Sequence, residues 1–203
     1  MRKAERHDAI VIGSGEGGKY LAWHLAQAGQ KTAVVERRWV GGSCPNINCL
    51  PSKNEIWSAG VARIVARTAE FGVTTGDVSI DMKKVLQRKR DMVDGLVAFH
   101  LDRYRASGAE LIMGTAYIVA PLTVEVSLND GGARTLVAEK LFLNVGTRAS
   151  MPHVSGLVEA EPLTNRGART RSDTPPPDRS WWGICRARIR AGIPTLRQSG
   201  YCR

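Results

Sequence analysis

Apolar residues fall along this chain in two alternating rhythms, one of strands and one of helices. Ala9-Ile10-Val11-Ile12 is a short β-branched run ending on glycine, the mark of a buried parallel strand. A helical pattern follows through Leu21, Ala22, Leu25 and Ala28 and closes at Gly29. Thr32 to Val35 is a second apolar run, ending in Glu36, and Ser52 to Glu70 is amphipathic at helical spacing. Met82, Val85, Leu86, Val93, Leu96, Val97, Leu101 and Tyr104 predict a long helix from about Met82 to Ala106, with lysines and arginines on its solvated face. Leu111 to Ile118 and Thr123 to Leu128 alternate as strands, Asn129-Asp130-Gly131-Gly132 is a turn, and Arg134 to Lys140 returns as a third strand. Leu141 to Val145 reads as a separate buried strand ending in Gly146-Thr147-Arg148. The order predicts an α/β fold: a Rossmann-like parallel sheet, flanking helices and a small antiparallel β-meander.

Between the first strand and helix stands Gly13-Ser14-Gly15-Glu16-Gly17-Gly18, which fits G-x-G-x-x-G at Gly13, Gly15 and Gly18. Gly13 permits a tight turn, Gly15 lets backbone approach a pyrophosphate, and Gly18 lets the helix pack on the strand. The free N–H groups of the helix then face the phosphates. Glu36, 21 residues past Gly15, is placed to accept hydrogen bonds from a ribose hydroxyl pair. A glycine string alone says little, but strand, helix, second strand and acid together specify a dinucleotide site.

Five residues past Glu36 begins Gly41-Gly42-Ser43-Cys44-Pro45-Asn46-Ile47-Asn48-Cys49-Leu50-Pro51-Ser52-Lys53. Two cysteines five apart can close a disulfide loop if the chain folds back into the following helix, whose N-terminus would lower a thiol pKa towards neutrality. Lys53 would act in the same direction. A structural zinc site needs a second ligand pair, and His7, His24, His100 and His153 are scattered singly. Two merely buried cysteines are the other alternative, for which the flanking glycines and Pro-Ser-Lys are costly choices.

This stretch, following the glycine loop and Glu36, closely resembles the class I pyridine nucleotide-disulfide oxidoreductases, whose pattern is G-G-T-C-x-N-x-G-C-x-P-S-K. The chain keeps both cysteines, Asn46, Pro51, Ser52 and Lys53, and differs at Ser43 and Asn48. The resemblance implies an FAD-dependent enzyme that passes electrons from NAD(P)H through FAD to a Cys44–Cys49 disulfide. Cys44 would then be the interchange thiol and Cys49 the thiol that reacts with the flavin. It further implies that Gly42 and Ser43 contact the FAD phosphates, that Lys53 lies near the flavin, and that Ala116 and Gly146 contact the cofactor. Ser14 belongs to the same cofactor-binding loop. Asn48, where the family has glycine, would need a φ above zero. The implied partners are a small disulfide, dithiol or metal-ion substrate and a second copy of the chain.

Composition changes the picture only at the end of the chain. Of the net charge of +10, residues 166–203 contribute +7, nine arginines against Asp173 and Asp178. The body is therefore nearly balanced, and no specific nucleic-acid partner is expected. No run of 18 apolar residues occurs and the N-terminus lacks a signal-peptide pattern, so a cytoplasmic protein is expected. Residues 1–165 are read as an FAD-binding domain and 166–203 as a poorly ordered basic tail. Trp181-Trp182-Gly183 read one base later forces Gly-Gly, so a second dinucleotide fingerprint can be drawn there and a frameshift near Asn165 accounts for the tail. On that account the NAD(P)-binding and interface domains are missing, FAD binding is weak and NAD(P)H turnover absent. The alternatives are a non-catalytic FAD-fold remnant and a flavin-free thiol redox module.

Overall fold

The computed structural model describes residues 4–148, 150 and 152–157. The segment 166–203, with its suggested frameshift, lies outside the described residues. Strand β1 (Glu5–Ile12) leads through α1 (Glu16–Gln27) to β2 (Thr32–Glu36), a right-sized unit for a parallel pair with a helical crossover. Two helices follow, the single-turn α2 (Ser43–Asn46) and α3 (Cys49–Ala66), then a 3-10 turn (Thr68–Phe71) and α4 (Met82–Ser107). The chain ends its described fold with β3 (Glu110–Ala120), β4 (Thr123–Leu128) and β5 (Ala133–Leu143).

The strands pair in the order β5-β1-β2-β3 in parallel, and β3-β4-β5 antiparallel, so the pairing closes on itself. The long strands β3 and β5 each change partner along their length. Leu136 to Leu143 of β5 lie beside β1, while Ala133 to Val137 lie beside β4. Here the sequence reading is corrected: the two strands expected over Arg134–Lys140 and Leu141–Val145 are the single strand Ala133–Leu143, because the partner changes without any turn in the chain.

Alternation along β1 explains the two apolar cores. Ile10 faces inward with Val35, Ile112, Val124, Val126 and Leu136, between the parallel sheet and the meander. Val11 faces the other way, with Val34, Ala22, Trp23 and Tyr104, beneath α1 and α4. Both faces of β1 and β2 are covered, so these strands are continuously apolar rather than alternating.

Helix α4 has nearly the bounds its spacing predicts. Asp81 caps it by accepting from the Lys83 and Lys84 N–H groups, and Gly108 ends it at φ 78°. Helix α3 begins at Cys49, three residues before the expected start, and ends at Ala66. It is fastened to α4 by a buried ion pair, Lys89 Nζ to Glu55 Oε1 at 2.7 Å, both side chains 7% exposed. A buried pair contributes little net stability against an apolar replacement, yet removing one partner leaves a bare charge. Glu55→Gln is therefore expected to lower unfolding stability by roughly 3 kcal/mol. Urea denaturation followed by tryptophan fluorescence reads this, and a wild-type midpoint in the variant would remove the pair's role in holding α3.

Candidate active site

The C-terminal ends of β1, β2 and β5 meet where the sheet order reverses around β1, the place at which open α/β sheets bind ligands. Gly13 leaves β1 with φ 100°, and a Cβ there would lie 2.3 Å from the Asn144 carbonyl oxygen at the end of β5. Asn144 also donates from Nδ2 to the Gly13 carbonyl at 3.1 Å. Gly18 packs against the same amide and the Gly13 carbonyl, where a Cβ would stand 2.2 Å from that oxygen. The fingerprint glycines are thus required by contacts inside the chain. Gly15 caps α1 with extended backbone, and no side chain caps the helix.

Glu36 stands where expected, at the end of β2, but its carboxylate is already engaged. Oε1 accepts from Arg38 N at 2.8 Å and Trp39 N at 3.0 Å, and Oε2 from Ser14 N at 2.9 Å and Ser14 Oγ at 2.7 Å. Ala116 lies in the part of β3 that pairs with β4, beyond Met113, the partner of Glu36 across the sheet. Gly146 follows β5 at the same end of the sheet, exposed and at φ 68°.

The cysteine loop folds back onto the glycine loop. Gly42, at φ 79°, packs so closely on Gly15 that a Cβ would come within 2.5 Å of the Gly15 Cα. Gly42 N donates to Trp39 O at 2.7 Å, and Asn46 Nδ2 donates to the Val40 and Gly42 carbonyls at 2.9 and 2.7 Å. Ser43 opens α2, and its carbonyl accepts from Ile47 and Asn48 N–H. Asn48 has φ −121°, so the expected left-handed conformation is not adopted.

Cys44, half-buried on α2, and Cys49, exposed at the first turn of α3, are both free thiols. Lys53 sits one turn further along α3, exposed. For Cys44 the expected shift towards a thiolate is reversed. Its pKa is pushed up from the ordinary 9.0 to about 11, first by burial, then by the hydrogen bond to Cys49 and the charges of Cys49 and Glu16. The cation acting against this rise is Lys19, in place of the expected Lys53.

Lys19 and His100 are site residues that the sequence reading passed over. Lys19 is 2% exposed and donates to Glu16 Oε1 at 2.6 Å and His100 Nε2 at 3.0 Å. An ammonium has no lone pair to offer, so Nε2 is the acceptor and the imidazole proton sits on Nδ1. Burial, and then the Lys19 charge, hold the His100 pKa below its ordinary value, with Glu16 opposing. The ring backs the cysteine loop: a Cβ on Gly41 would lie 2.6 Å from Nδ1. The signal was positional, since Lys19 is three residues before Ala22 and His100 four before Tyr104, both on apolar helix faces.

Residues 7–176 match the family model described as pyridine nucleotide-disulphide oxidoreductase. Dihydrolipoyl dehydrogenase of Bacillus subtilis (strain 168) is 36% identical over 159 residues, covering 73% of this chain and 33% of that protein. Mercuric reductase of Streptomyces lividans is 31% identical over 172 residues, covering 83% of this chain and 36% of that one. The chain therefore spans about a third of the curated relatives it matches. Among solved structures, the Cu(II) complex of the HOCl-induced flavoprotein disulfide reductase RclA from Escherichia coli shares the fold, with a TM-score of 0.64 and 24% identity over 83% of this chain and 35% of that one.

Two of the influences that raise the Cys44 pKa come from Cys49. In Cys49→Ser, the pH midpoint for Cys44 alkylation is expected to fall below that of the wild-type chain, with burial and Glu16 still acting to raise it. Iodoacetamide labelling across pH with peptide mass mapping measures both midpoints. An unchanged or higher midpoint in the variant would show that the two thiols do not interact.

Proposed function

Because this chain belongs to the pyridine nucleotide-disulphide oxidoreductases, we propose that it forms the FAD-binding and dithiol part of a disulfide reductase. The observation that carries the reading is the stacking of Gly42 on Gly15, which sets the Cys44 loop against the phosphate-facing end of α1. The family uses FAD and NAD(P)H, and the residues present fit an FAD: an uncapped helix start, a glycine loop and the acid at the end of β2. Gly13, Ser14, Gly15, Gly18, Glu36, Gly42 and Ser43 would hold its adenosine diphosphate half, with Ala116 and Gly146 beside it and Lys53 near the flavin. FAD, when bound, supplies two-electron exchange between a nicotinamide and the disulfide.

The chain's own part is thiol chemistry. The Cys44 thiol gives up its proton and attacks one sulfur of a disulfide substrate, releasing the first thiolate. Cys49 then attacks the Cys44 sulfur, releasing the second thiolate and closing the Cys44–Cys49 disulfide. Two electrons leave the protein and two product thiols are formed. Cys44 takes the interchange role by the family resemblance, with Lys19 as the nearby cation that favours its thiolate. The substrate class is a small disulfide, a dithiol or a metal ion such as the one that names the mercuric relative. The setting would be the cytoplasm; the homodimer is the family's arrangement, and on the frameshift account its interface domain is missing here.

Titration of the purified chain with FAD tests the cofactor reading. Flavin fluorescence is expected to be quenched in a saturable way, with weak binding that desalting reverses. Gly42→Ala, which inserts a Cβ against Gly15, is expected to weaken binding at least ~10-fold. Absence of saturable quenching in the wild-type chain would overturn the reading and leave a flavin-free thiol module.

A further inference from the structure

We propose that the Ser14 hydroxyl couples occupation of the dinucleotide site to the hold on the Cys44 loop. The inference rests on the reading above, in which a ribose hydroxyl pair meets Glu36. Ser14 is fully buried, and its Oγ lies among three partners in addition to its own loop: Glu36 Oε2 at 2.7 Å, Gly41 N at 3.0 Å and Trp39 O at 3.2 Å. A hydroxyl has one proton and two lone pairs. The proton goes to the carboxylate, which gives the shorter, charge-assisted bond, and the Gly41 N–H donates into a lone pair. The Trp39 carbonyl is left as a second acceptor within reach of the same proton.

Glu36 is the reason the arrangement can switch. Each of its oxygens already accepts two hydrogen bonds, three of the four donors being backbone N–H groups of Ser14, Arg38 and Trp39. A ribose hydroxyl pair brings further donors to a carboxylate with no lone pair to spare. The backbone donors cannot turn aside without moving the chain. The Ser14 O–H can, by rotating about one bond towards Trp39 O.

That rotation reaches the cysteine loop by two routes. A hydroxyl that donates to a carboxylate is polarised into a better acceptor, so losing that bond weakens its hold on Gly41 N–H. The Trp39 carbonyl also accepts from Gly42 N at 2.7 Å, so the arriving proton competes with a bond that shapes the turn. Gly41 and Gly42 immediately precede Ser43 and Cys44. The ribose diol therefore loosens the turn that leads into the interchange thiol, and a compound with the pyrophosphate but no diol does not.

ADP is a suitable probe, since it has the ribose diol and pyrophosphate but no flavin to cover the sulfurs. In Cys49→Ser, saturating ADP is expected to speed iodoacetamide labelling of Cys44 by about threefold. Ser14→Ala in the same background, compared at equal ADP occupancy from equilibrium dialysis, is expected to show no acceleration. 2′,3′-Dideoxy-ADP, bound without a diol, is expected to leave the rate unchanged in the protein that retains Ser14, and this comparison decides the matter if Ser14→Ala does not fold. Bound ADP without acceleration overturns the coupling, as does equal acceleration by the dideoxy compound or in Ser14→Ala. Failure of ADP to bind in dialysis instead overturns the dinucleotide-site reading, and the coupling with it.

Discussion

Two stretches of backbone touch where neither has a side chain, and the candidate site is organised around that contact. Gly15 and Gly42 approach so closely that a single methyl group on Gly42 would overlap the other residue's Cα. The first belongs to the loop that opens α1, the second to the turn before Cys44. Their contact joins the N-terminal end of a helix to a pair of thiols almost thirty residues away in sequence. Backbone in this position must find its hydrogen bonds locally. Asn46, Trp39 and Ser14 supply them.

Around this contact the helices act as walls. Helix α4 runs behind both loops, contributing His100 to the back of Gly41 and Lys89 to the buried pair with Glu55 on α3. Lys19, His100 and Glu16 place a buried cation, a neutral imidazole and a half-exposed carboxylate next to the thiols. The result is a Cys44 whose pKa is held up by burial, Cys49 and Glu16, with Lys19 acting against them. Stability and reactivity share the same residues here, as is common at sites where burial shifts a pKa.

Much of this was legible in the sequence, for physical reasons that differ by element. Strand β1 and its glycine turn were readable because continuous apolar runs and φ above zero each narrow the choice of residue. Helix α4 was readable because its stripe spans many turns. The single strand β5 was misread as two, since a change of partner strand alters burial without leaving a turn signal. Lys19 and His100 were missed because polar residues on an apolar face are ordinarily assigned to its edges. The conformation at Asn48 went the other way: a family glycine implied φ above zero, while in this chain Asn48 has φ −121°. The saturation of Glu36 could not be read at all, as it depends on Ser14, Arg38 and Trp39 folding around one carboxylate.

The central claim is that Cys44 and Cys49 exchange between dithiol and disulfide with each other. Mild oxidation of the purified chain, blocking of free thiols, proteolysis without reductant and mass mapping of linked peptides test it directly. The account predicts a Cys44–Cys49 crosslink that reductant reverses and that Cys49→Ser abolishes. Cys44 and Cys49 remaining free under oxidation, or never pairing with each other, would contradict it.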